Sequence, residues 1–126
     1  ARWRPNFREA RAFDTRFYIA SVPADTPEPM VDQTENVLSF WASATDLLAA
    51  ADTGKVKVIF PTRRNLERLA LFEDFATAEV HARDIPVEII CPYFEDRDGE
   101  RHLCIPTHLG YPVTSEIMST VARGGR

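Results

Sequence analysis

At 126 residues the chain has the length of one domain, and a composition 44% apolar and 27% charged is that of a globular rather than a disordered protein. A formal charge of -4 gives no general pull toward nucleic acid or an anionic membrane, and no apolar run approaches the ~20 residues that span a bilayer. The opening "ARWRPNFREARAF" is basic and mixed, without the apolar middle of a secretory leader, so a cytoplasmic protein is expected.

The first expected element is a strand over "RFYIASV" (16–22), rich in aromatic and β-branched residues and stopped by Pro23. Residues 23–34 hold three prolines together with Asp25, Glu28 and Asp32, and read as a long exposed loop. "ENVLSFWA" (35–42) is apolar on both alternating faces, the pattern of a strand buried on both sides. Ser43 then suits the N-cap of a helix with Asp46 at its third position, and Gly54 supplies a left-handed stop.

A short extended segment, "KVKVIF" (55–60), leads to Pro61 and a second helix, with Thr62 as the expected cap and Leu66, Leu69 and Ala70 as the buried stripe. A third helical stretch covers residues 73–84. In residues 87–106 Asp98-Gly99 marks a type I′ hairpin, in whose register Tyr93 faces Cys104. Cys91 is then offset by two residues, which argues against a disulfide and for two reduced thiols. Pro92 places the first arm at a sheet edge, and the tail from residue 107 reads as a loop with a frayed end. The expectation is one α/β domain, residues 1–126: an α+β arrangement of mixed sheet with flanking helices.

Few residues point to chemistry. Arg63 and Arg64 stand in the first turn of a helix, where free N–H groups attract anions and an arginine adds charge-assisted bonds to a phosphate. The same Arg63 can simply pair with Glu67 one turn on, and Arg64 and Arg68 can be surface charge. Asp25, Glu28, Asp32 and Glu35 form an acidic group of the kind that holds Mg²⁺, or merely a solvated loop; Glu35 is the member at the edge of an expected strand. There is no nucleophile elbow and no phosphate-binding glycine loop, and His81, His102 and His108 lack metal-ligand spacing.

Taken in order, Phe13-Asp14-Thr15-Arg16-Phe17, then Glu35 with Trp41, then Phe60-Pro61-Thr62, and finally Gly110-Tyr111-Pro112 resemble the C-terminal part of Nudix hydrolases. The likeness is to the subgroup of the peroxisomal coenzyme A diphosphatases and their bacterial relatives, in which the position of Phe60 is ordinarily the first of two prolines. It implies part of an α/β/α sandwich and a hydrolase that cleaves a diphosphate linkage in a nucleotide-linked compound such as coenzyme A, with Mg²⁺ or Mn²⁺. It implies Glu35 as an accessory acid, and Arg63 and Arg64 as substrate contacts.

The family's metal box needs a Glu-Glu pair, and this sequence contains none. The box would precede residue 13, so the resemblance implies a portion lacking it, inactive alone, that pairs with a complementary N-terminal half or with itself. The alternative is a non-catalytic domain that binds a ligand or a protein partner. No nucleic-acid or membrane partner is expected.

Overall fold

The structure is a computed structural model that describes residues 1–5, 11–36 and 38–125. Among these residues the fold is α+β, with four helices and two three-stranded sheets. Arg8-Glu9, and Val37 of the expected second strand, lie outside the described residues.

The first sheet is built from very short strands. β1 (Arg2–Trp3) lies in the middle, antiparallel to β2 (Thr15–Arg16) and parallel to β3 (Ile89–Ile90), with Trp3 opposite Thr15 and Ile90. The second sheet is an antiparallel meander of β4 (Tyr93–Arg97), β5 (Glu100–Cys104) and β6 (Ser115–Ile117). Positive φ angles at Asp98 (50°) and Gly99 (80°) give the type I′ turn, and the register sets Tyr93 opposite Cys104 as expected. Both cysteines are free. β4 is an outer strand, and Pro92 is buried in the link that joins the two sheets.

Helix α1 (Ala44–Asp52) starts as its sequence indicates: the Ser43 hydroxyl accepts from the Asp46 N–H at 3.0 Å, and Gly54 follows the end with φ 75°. α3 (Phe75–Asp84) is capped by Asp74, whose carboxylate accepts from the Thr77 N–H at 2.8 Å. α2 (Phe60–Leu69) departs from expectation twice. It begins at Phe60 behind an uncapped Ile59, because Pro61, with its fixed φ, fits the first turn of a helix; Thr62 is inside the helix rather than its cap. Its buried residues are Phe60 and Arg64, whereas Leu69 and Ala70 are exposed.

Two expected strands do not form. Only Thr15 and Arg16 of the first segment pair, and residues 17–22 continue without regular structure. Residues 38–42 are also irregular, with Leu38 72%, Phe40 53% and Trp41 57% exposed. Both-face apolar alternation signals burial only where neighbouring strands cover it, and no described strand pairs here. The expected loose tail is instead β6 and α4 (Met118–Gly125), and Met118 and Val121 pack on the core.

The core is Trp3, Phe60, Ile90, Leu103, Ile105, Leu109 and Tyr111. Trp3 meets Phe60 and Tyr111 edge-on, at centroid distances of 6.2 and 5.7 Å. Its indole N–H donates to the Tyr111 hydroxyl (3.1 Å), which donates to Asn65 Oδ1 (3.1 Å). Thus one polar chain links β1, the 109–111 loop and α2 inside the apolar centre. No described helix is long and apolar enough to cross a membrane.

Candidate functional site

Arg64 is the most deeply buried charged side chain described, 2% exposed beneath α2. Its guanidinium lies over the Phe60 ring at 4.9 Å and between two carboxylates, Glu67 (Nη2 to Oε1, 3.0 Å) and Glu116 (Nη2 to Oε2, 3.0 Å). A further approach, Nε to Glu67 Oε2 at 2.9 Å, lacks hydrogen-bond alignment, and Nη1 is buried with no hydrogen-bond partner. Burial lowers the arginine's pKa and raises that of Glu67, while the mutual attraction opposes both shifts. Arg63 bridges Glu67 (3.1 Å) and Asp52 (2.7 Å), tying α2 to α1. The two arginines proposed from sequence as phosphate contacts therefore sit in an ion network that holds α1, α2 and β6 together.

Glu35 is exposed in the bend at residues 33–35 and makes none of the ion pairs of this network. Asp25, Glu28 and Asp32 are exposed too, and the Asp32 carboxylate accepts from the Thr34 N–H (3.1 Å) and hydroxyl (2.7 Å). Among the described residues no three His, Cys, Asp or Glu side chains gather so as to hold a metal ion. These carboxylates do not fit the Mg²⁺ or Mn²⁺ centre that the family resemblance implies.

The structure draws together a different set. An open cleft of about 680 Å³, within the size range of small-molecule sites, runs between β1–β2, one side of α2, α3 and the 109–111 loop. Arg2, Arg16, Arg68 and His81 bring basic side chains to it, and Glu88 a carboxylate. Phe17, Ile19, Leu66 and Phe72 supply apolar wall.

The charges differ in how they are engaged. Arg2 Nε donates to Asp14 at 2.8 Å, and that contact holds the Asp14 carboxyl below its ordinary range. Glu88 meets His108 at 2.7 Å. Arg68 has no carboxylate partner among the described residues: its Nη2 donates to His81 Nδ1 at 3.3 Å, and its guanidinium lies 5.2 Å from the centre of the Tyr111 ring. Burial, followed by the nearby Arg68 charge, lowers the His81 pKa.

Local structure accounts for this placement. Phe60, Arg64 and Arg68 recur every four residues, so Arg68 continues the buried side of α2 toward the cleft. Gly110 has φ 82°, and a Cβ there would come 2.4 Å from Ile85 Cδ1 and 2.7 Å from His81 Cε1. Glycine thus lets the 109–111 loop press on α3 and set His81 beside Arg68. From sequence Arg68 reads as surface charge and His81 only lacks metal-ligand spacing; the four-residue spacing from Phe60 is the one signal that could single out Arg68.

No family model, curated protein or solved structure matches this chain.

Proposed function

We propose that this chain forms the substrate-holding part of a Nudix-type hydrolase that cleaves a diphosphate linkage in a nucleotide-linked compound such as coenzyme A. The metal-binding box, with its Mg²⁺ or Mn²⁺, would come from outside these 126 residues. The observation that carries this reading is convergence. Three segments that bear the family resemblance, around Arg16-Phe17, Thr62 and Tyr111, are 45 or more residues apart in sequence, yet all line the one cleft. Its basic side chains suit phosphates, and its apolar wall suits the rest of a nucleotide-linked molecule.

Within this reading the chain binds and orients substrate, and Glu35, Arg63 and Arg64 take no assigned step. The test is hydrolysis of diphosphate-linked nucleotides, coenzyme A included, with Mg²⁺ or Mn²⁺, by this chain and by the complete product of its gene. Cleavage by the complete product alone is expected. Cleavage by neither would overturn the hydrolase reading.

A non-catalytic binding domain is the second reading, favoured by Leu38, Phe40 and Trp41, which no described residue covers. Saturable binding of a diphosphate compound without cleavage by either form would support it.

A further inference from the structure

We infer that Arg68 and His81 form an anion clamp for the diphosphate of the bound compound, and that His81 joins the clamp only in its protonated form. The inference rests on the hydrolase reading only for the identity of the anionic group.

Of the three arginines that line the cleft, Arg2 is paired with Asp14, whereas Arg16 and Arg68 have no ion pair among the described residues, and of these two Arg68 is the one set against His81 and the Tyr111 ring. It is held in place by a neutral ring on one side and a neutral imidazole on the other. Because an arginine can only donate, His81 Nδ1 must accept in the free protein, which keeps the ring uncharged. An arriving phosphate oxygen supplies the missing negative charge to Arg68, and it removes the electrostatic objection to a proton on His81. His81 then becomes a second donor to the same anion.

The surroundings of His81 support this direction. Arg68 faces it from α2, Asp84 acts on it from its own helix, and the Phe72 ring lies 4.7 Å away. Gly110 closes it off from the loop side. Farther round the cleft stand Arg2, Arg16 and the Ala1 nitrogen, with Glu88 engaged by His108. Burial first, and then the Arg68 charge, favour the neutral ring in the free protein; a bound dianion beside Arg68 opposes the second of these and favours the proton. Linkage then requires affinity to rise as pH falls through the bound-state pKa of His81, and to level off below its free value.

The probe is ADP-ribose, a diphosphate diester whose charge stays constant between about pH 5.5 and 8, the range over which histidine titrates. Calorimetric titration of the 126-residue chain should show binding several-fold tighter at the lower pH. R68M should weaken binding by about tenfold or more, since charge-assisted hydrogen bonds are lost. R68K should recover part of it, and thermal melts of each variant check folding. H81Q should keep the affinity measured at the higher pH and lose the pH dependence. In nuclear magnetic resonance spectra the His81 ring should titrate at higher pH when ADP-ribose is saturating.

A pH-independent affinity, or a His81 pKa unmoved by ligand, would overturn the clamp. The two readings separate cleanly. Pyrophosphatase activity of the complete gene product with no effect of R68M or H81Q on binding sinks the clamp alone. Clamp behaviour with no cleavage sinks the hydrolase reading alone.

Discussion

Arg64 replaced by alanine would leave Glu67 and Glu116 facing each other under α2 with their shared cation gone. Breaking a buried pair by removing one partner costs about 3–5 kcal/mol, and R64A should show a loss of that order in urea unfolding at neutral pH. The pH response of the variant has a definite sign. Burial already raises the folded-state pKa of Glu67 above its ordinary 4.5, and without Arg64 that rise must grow. A raised carboxyl stabilises the fold fully at pH below its unfolded value, and that contribution is lost as pH rises through the folded value. R64A should therefore recover stability on acidification, relative to the unsubstituted protein. Asp14 works the other way: its hydrogen bond from Arg2 depresses the folded value below 3.8. Its contribution is present above the unfolded value and is lost as pH falls through the folded one. A difference in stability between R64A and the parent chain that stayed constant from neutral to acid pH would contradict this assignment of the ion network.

At the scale of elements, two contacts set local stability. S43A removes the hydroxyl that satisfies the Asp46 N–H, and should cost about 1 kcal/mol by chemical denaturation. G110A puts a methyl group where Ile85 and His81 already stand, at a backbone position with positive φ. Overpacking of this kind costs about 1–3 kcal/mol, and the displaced His81 should weaken ligand binding as well. An unchanged melting temperature for G110A would show that the loop does not press on α3. These elements also explain what could be read from sequence. The hairpin and α1 are specified within a few residues of themselves, by Asp98-Gly99 and by Ser43 with Gly54. Segments 16–22 and 35–42 carry strand-like patterns, but pairing depends on partners that a local pattern cannot name. β1 and α4 were missed for the converse reason. β1 pairs with residues 15–16 and 89–90, and Trp3 is buried against Phe60 and Tyr111, all distant in sequence, while β6 with α4 depends on docking against β5.

For the whole molecule, the core is closed around Trp3, Phe60 and Tyr111, while the stretch from Phe13 to Trp41 carries a series of exposed apolar side chains. Surface of this kind is ordinarily covered, by another part of the same protein or by a second copy. The isolated chain should self-associate in sedimentation velocity, with an average mass that rises with concentration; a clean monomer at high concentration would contradict that. The candidate site was less legible than the fold. Arg63 and Arg64 drew attention because they are adjacent at a helix start, yet packing places both among carboxylates, and Arg68 on the cleft. Only the folded arrangement brings residues near 16, 62, 68, 81 and 111 to one cleft. The most direct measurement is therefore an amide chemical-shift titration of the ¹⁵N-labelled chain with coenzyme A. Saturable shifts centred on residues 16–19, 62–72, 81–88 and 109–111 are expected. An absence of shifts at saturating ligand, or shifts confined to the hairpin of β4 and β5, would contradict the assignment of this cleft as the substrate site.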